Sequence, residues 1–351
     1  MFSADKKAFG ALLLLLGFGL FWHRPALAPD FESAQKLPIA EIHPVITIVA
    51  VGDIMLSRHV GAKIEQAKNP NLPFEDVREL LDEADITFGN LECPLSDSNI
   101  PIREGLIFRC LTNDFDGVIN SGFDVLSAAN NHSMDQGIKG LEFTIDYLKS
   151  KNILPVGTTP SISLPHEGEM KEGVIERNGA KFGFLSYSYS AFNDGKNSTH
   201  PQIATLDIEK LKFDILNLKS RGADIIVVSM HAGTEYTRRP NQTQINFAHA
   251  AIDAGADVVI GHHPHWRQTI EVYQGKPIFY SLGNFVFDQM WSQETREGLI
   301  VRLAIRDRRL ERAELIPVVI ENYCCPRMAN DEEKINILKK INLANDTLEF
   351  E

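Results

Sequence analysis

The chain has 351 residues, 47 acidic side chains against 35 basic ones, a net charge of −12 and a hydrophobic fraction of 44%. That length suits one large α/β domain or two smaller ones with a sizeable core, and the apolar content excludes a disordered or fibrous chain. The acidic balance, with no Lys/Arg patch, argues against nucleic acid as a partner, and an anionic substrate needs local help from a metal or an arginine.

In chain order, the first segment stands apart. Lys6 and Lys7 precede an apolar stretch over residues 9–22, followed by Ala26-Leu27-Ala28. A basic start, an apolar middle and a small-residue end read as an export signal. Pro29 after the cut site hinders a peptidase, so the segment reads as a single-pass signal anchor in the cell membrane, with cleavage and secretion as the alternative. Its apolar residues run all round, which disfavours a buried amphipathic helix. Either export reading puts the body outside the cytoplasm. Residues 31–44 then act as a tether, so residues 1–44 form anchor and tether.

Residues 46–51 form a β-rich apolar run and predict a first buried strand ending in Gly52-Asp53. Helical spacing covers residues 76–84. Residues 86–89 predict a strand ending in Asn90-Leu91-Glu92, and residues 124–128 one ending in Asn130-Asn131-His132. A helix follows over 138–148, then a short strand over 153–156. Residues 173–189 read as a hairpin turning at Asn178-Gly179. A helix over 208–218 leads to a strand over 225–230, ending in His231-Ala232-Gly233-Thr234-Glu235. A helix over 243–254, stopped by Gly255, precedes a strand over 257–260 that runs into Gly261-His262-His263-Pro264-His265. The alternation then gives way to strands over 269–273, 277–282, 299–305 and 315–320, an antiparallel block, and a terminal helix over 334–341. The four cysteines form no zinc pattern. Cys93 and Cys110 either pair in an exported protein or stay unbridged and buried.

Five strand-like runs thus end in metal-ligand or acid/base groups, where open α/β sheets place their ligand sites. Neutral imidazole is the commonest protein ligand for transition metals. Strand alternation puts His263 and His265 on one side and His262 on the other. Asp53 reads as a ligand or as a helix N-cap. Asp135 reads as a partner fixing the His132 tautomer or as a turn residue, and Asn284 as site support or a turn residue.

In order along the chain, Gly52-Asp53-Ile54-Met55-Leu56-Ser57-Arg58, Gly89-Asn90-Leu91-Glu92, Asn130-Asn131-His132-Ser133-Met134-Asp135, His231-Ala232-Gly233-Thr234-Glu235, Gly261-His262-His263-Pro264-His265 and Ser281-Leu282-Gly283-Asn284-Phe285 resemble the capsule-synthesis protein CapA family. That family is associated with poly-γ-glutamate production and is similar to the calcineurin-like metallophosphoesterases. The resemblance covers residues 45–320 and leaves 321–351 as a tail with a helix. It implies a four-layer α/β/β/α sandwich. It also implies a site for one or two divalent ions, manganese, zinc or iron, held by Asp53, Glu92 as the bridging carboxylate, Asn131, His231, His263 and His265. Met55 departs from the superfamily, which has a histidine two positions after the first aspartate.

A divalent ion acidifies water and polarises an acyl or phosphoryl oxygen. His132 is then a general acid oriented by Asp135, and Glu235 a ligand, a general base or an orienter of His231. Arg58 and Arg109 grip a carboxylate or phosphate, or are plain surface arginines. The partners implied are poly-γ-glutamate or a related anionic polymer and membrane-bound synthase subunits. The function expected is an exported capsule or poly-γ-glutamate biosynthesis protein with a metal-dependent hydrolase-like site acting on an amide or phosphoester bond. A non-catalytic polymer-binding assembly subunit and a secreted metallophosphatase are the alternatives.

Overall fold

A computed structural model describes residues 44–97, 106–158 and 172–350. The apolar segment over residues 9–22 lies outside the described residues. Among those described, no helix is long and apolar enough to cross a membrane.

The elements follow one another as β1 (Ile46–Ile54), α1 (Arg58–Ala67), α2 (Arg78–Asp82), β2 (Ile86–Leu91), α3 (Asp116–Asn120), β3 (Val125–Ser127), α4 (Gly137–Ser150) and β4 (Leu154–Val156). The hairpin β5 (Glu172–Arg177) and β6 (Ala180–Ser188) leads to α5 (Ile208–Ser220), β7 (Ile225–His231), α6 (Gln242–Ala254) and β8 (Val258–His262). The C-terminal part holds β9 (Ile270–Tyr273), β10 (Lys276–Phe279), β11 (Asn284–Val286), α7 (Gln293–Arg296), β12 (Glu297–Arg306), β13 (Arg309–Glu321), β14 (Cys325–Met328), α8 (Asp331–Lys340) and β15 (Thr347–Glu349). Local chemistry explains several boundaries. Asn178 and Gly179 both take positive φ, 49° and 77°, as a two-residue hairpin turn requires. Helix α6 opens with an Asn241/Gln244 capping box and closes on left-handed Gly255.

The mixed α/β expectation holds. Two sheets form, one with β14-β13-β12-β1-β2-β3-β4 as its main path and one ordered β5-β6-β7-β8-β10-β9. One core lies between them, with Ile48, Ile86, Phe88 and Val125 of the first sheet meeting Phe182, Phe184, Val227 and Ile260 of the second. The other face of the first sheet packs with Val60 and Ile64 of α1 and Leu80 and Leu81 of α2. The other face of the second packs with Leu211 and Ile215 of α5 and Phe247 and Ala251 of α6.

The expected antiparallel block is not one block. Strand β10 continues the second sheet, parallel to β8, whereas β12 runs antiparallel to β1 in the first. Both edges are apolar, and only long-range pairing decides which strand covers which. The cysteine alternatives resolve to the unbridged one: Cys93 and Cys110 are buried free thiols, and Cys324 is bonded to its neighbour Cys325.

Candidate metal centre

Strand alternation builds this site. In β8, Val258 and Ile260 enter the inter-sheet core while Val259 faces α6, so His262 projects between the sheets. In β7, Ile225 and Val227 enter the same core, and His231 follows on their face. In β2, Ile86 and Phe88 do so, and Asn90 follows. The apolar core therefore turns polar at the strands' C-terminal ends. Glycine permits the close approach there. A Cβ on Gly52 would lie 1.9 Å from the Gly283 carbonyl oxygen, and one on Gly261 equally near that of Tyr280.

Past His262 the strand ends, and alternation no longer governs. His263 and His265 take positive φ of 96° and 57°, a strained backbone typical of functional sites. The chain bends there, and His263 and His265 both reach the centre, while His262 stays beside Asp53. The ligand-type atoms of Glu92, His231 and His263 lie within 4.8 Å of one another, as do those of Asp53, Glu92 and His265. Glu92 is common to both groups, as a bridging carboxylate requires.

Each side chain is held from behind. Asn90 Nδ2 donates to Asp53 Oδ1 (2.8 Å) and lies 3.2 Å from His231 Nδ1. His231 Nε2 points the other way, 2.8 Å from Asn131 Oδ1 and 4.0 Å from Glu92 Oε1, on the side where the ligand-type atoms converge. The Asn284 amide donates to the Thr295 carbonyl (2.9 Å), which turns its oxygen to accept from His265 Nδ1 (2.9 Å). His265 Nε2 is left facing Glu92 Oε1 at 4.0 Å. His132 Nδ1 donates to Asp135 Oδ2 at 2.6 Å, its ring stacks on Phe108 at 3.8 Å, and its Nε2 lies 3.9 Å from Glu92 Oε1. Such outer hydrogen bonds fix tautomer and orientation at metal sites.

The electrostatics match. Burial, with the Asp53 and Glu235 carboxylates nearby, pushes Glu92 well above the usual carboxyl range. Burial also pushes Asp53 up, but contacts with His262, His265 and Asn90 outweigh it and hold it below that range. Burial holds His132 below the ordinary imidazole value, partly offset by Asp135. Burial and the surrounding imidazoles put His231 well below, and His263 is pushed down to about 3. Neutral imidazole is the metal-binding form.

Both Glu92 oxygens and His263 Nδ1 are buried without a hydrogen-bond partner. Buried polar atoms are normally paired, and orphaned atoms of these types converging on one volume are what a divalent cation satisfies. Carboxylate, amide oxygen and imidazole suit manganese, zinc or iron.

The structure brings together Asp53, Glu92, Asn131, His132, Asp135, His231, His263 and His265. Glu235 is instead exposed at the rim, close enough to raise Glu92. Arg58 lies over the Phe108 ring at 4.8 Å and pairs with Asp288. Arg109 lines, with Arg58, Lys68 and Asp114, a neighbouring cleft of about 730 Å³. Met55 is buried in the core beside α1, its sulfur accepting from the Ser57 amide at 3.1 Å. Sequence reasoning missed Asn90 as a supporting group, although its place in the Ile86, Phe88, Asn90 alternation marks it as facing inward.

Residues 47–289 match the family described as bacterial capsule synthesis protein PGA_cap. The chain is 33% identical over 325 residues to the PGA biosynthesis protein CapA of Bacillus subtilis (strain 168), covering 91% of this chain and 82% of that protein. It is also 33% identical over 296 residues to the capsule biosynthesis protein CapA of Bacillus anthracis, covering 79% and 68%. Among solved structures, a novel phosphatase from Mycoplasma pneumoniae superposes with a TM-score of 0.51 at 15% identity, covering 84% of this chain and all of that one, a likeness of fold.

Proposed function

The chain belongs to the bacterial capsule synthesis protein family, and from that premise we propose that it is an exported, membrane-tethered part of a capsule or poly-γ-glutamate machinery with a metal-dependent hydrolase-like site. The observation that carries the reading is the pair of buried ligand groups sharing Glu92, whose carboxylate oxygens have no other partner. Asp53, Glu92 and His265 would hold one ion; Glu92, Asn131, His231 and His263 a second. A bound divalent ion supplies Lewis acidity toward an acyl or phosphoryl oxygen and toward water.

The chain's own groups do the rest. His132 Nδ1–H donates to Asp135, so Nε2, on the side facing Glu92, is the nitrogen that takes up and releases a proton. As the imidazolium, stabilised by the Asp135 carboxylate, it gives the Nε2 proton to a departing amine or alkoxide and becomes neutral. The Phe108 ring under His132 and the Asp135 carboxylate, which also accepts from the Phe108 amide at 2.7 Å, hold the imidazole in place. Arg58, above Phe108, offers a cation to an anionic substrate beside that proton. The apolar Phe9–Trp22 segment supports the tether, and the names of the relatives support the pathway. A non-catalytic polymer-binding role is the second reading, favoured by Met55, a poor ligand for a hard cation, turned into the core.

The test uses the full chain in its membranes. It should stay in the pellet after a carbonate wash. With Mn²⁺ or Zn²⁺ it should cleave either poly-γ-glutamate or an activated phosphodiester, and EDTA should abolish the activity. Metal binding without turnover on either substrate moves the binding role ahead.

A further inference from the structure

One imidazole of the centre is left without a role by the two ligand groups. His262 is fully buried, and neither ring nitrogen has a hydrogen-bond partner. Packing does not ask for it. Val258 and Ile260, on the same face of β8, already fill the inter-sheet core, and its nearest aromatic neighbour, Phe88, lies 6.1 Å away between ring centres. An orphaned polar ring in such a place needs a physical reason.

Its Nδ1 faces Asp53 Oδ1 at 3.3 Å, out of line for a hydrogen bond. Two atoms at that separation can both lie about 2.1 Å from one ion. The two ligand groups are also unequal. The Glu92 group with His231 and His263 has two imidazoles, while the Asp53 group has only His265. Met55 cannot make up the difference, because it is packed into the core on the other side of β1.

On the metal-centre reading above, we propose that His262 is the second imidazole of the Asp53 site, binding through Nδ1 the ion that Asp53, Glu92 and His265 hold. The chain then replaces, from the end of β8, the imidazole that the end of β1 does not carry. Each ion has two imidazoles and a share of Glu92. The orphaned Glu92 carboxylate and the orphaned His262 Nδ1 are then explained by one arrangement.

The experiment strips the full-length chain with EDTA, adds Co²⁺, removes the excess and counts bound cobalt. Wild type should hold two ions per chain. His262→Gln should hold one, or bind one of the two at least tenfold more weakly, while His263→Ala loses the other. His262→Gln retaining both ions at wild-type affinity overturns the proposal. The melting profile in EDTA checks that the variant folds. If it does not fold, the Co²⁺-shifted imidazole N–H resonances of wild type decide: four support the assignment, three refute it. A wild type that takes up no Co²⁺ overturns the metal centre and the proposed function together, an outcome distinct from failure of His262 alone.

Discussion

Asn284→Ala probes how the centre is held, because Asn284 touches a ligand without being one. Its amide oxygen accepts from His265 Nδ1 at 2.9 Å, and its nitrogen donates to the Thr295 carbonyl at 2.9 Å and to Gln289 Oε1 at 3.2 Å. The residue is fully buried, so water cannot replace it. Truncation orphans one donor on His265 and one acceptor on Thr295, each costing about 1–3 kcal/mol, or about 2–6 kcal/mol together. For a domain of about 300 residues that lowers the melting temperature by about 3–9 °C. Loss of the tautomer lock should also weaken metal binding about 10- to 100-fold. Asn284→Asp separates the two effects. An oxygen still faces His265, so metal affinity should stay within a few-fold of wild type, but the second oxygen now opposes the Thr295 carbonyl, and stability should still fall. Melting in EDTA reads the first quantity and competition with a metal indicator the second. Asn284→Ala with wild-type melting and wild-type affinity would refute the account of His265.

Three further perturbations test separate parts of the structure. If the protein turns over a substrate, His132→Ala should keep its metal content and lose about 10²- to 10⁴-fold in kcat, and a substrate with a better leaving group should rescue part of the loss; equal loss on both substrates would remove the acid role. Glu297 is buried between Arg267 and Lys340, whose Nζ lies 3.0 Å from Oε2, so Glu297→Ala leaves a buried guanidinium unpaired and should cost about 3–5 kcal/mol in urea unfolding; a cost under about 1 kcal/mol would contradict the buried pair. Asp114 is raised from 3.8 to about 6 by burial and then by Glu65. A raised carboxyl stabilises the folded state below its unfolded value and loses that contribution as pH rises to about 6. Between about pH 4 and 6 wild type should therefore lose stability relative to Asp114→Asn, and parallel melting curves for the two would exclude this.

Much of the centre was legible because buried strands leave strong local signals. The runs over residues 46–51, 225–230 and 257–260 became β1, β7 and β8, and the polar groups at their ends are those that converge. The Asn178-Gly179 turn was equally plain, since few dipeptides tolerate two positive φ angles. What stayed hidden depends on contacts distant in sequence. Nothing near Asn90 announces that its amide lies between Asp53 and His231, and nothing near Asn284 announces His265 or Thr295. Alternation put His262 apart from its neighbours, yet it assumes a strand that continues, and the positive φ at His263 ends it. The split of the last strands between two sheets was hidden for the same reason, because β9 and β10 look no different locally from β12 and β13.

The central claim is that the buried cluster of Asp53, Glu92, His231, His263 and His265 holds divalent metal. The most direct measurement is the metal content of the full-length chain, purified without chelator, together with its melting temperature in EDTA and in Mn²⁺, Zn²⁺ or Fe²⁺. The account predicts at least one tightly held ion per chain, and a rise in melting temperature that follows metal concentration, worth about 2.7 kcal/mol at one hundred times the dissociation constant. Metal at the buffer blank, with identical melting in EDTA and in every one of these ions, would contradict it.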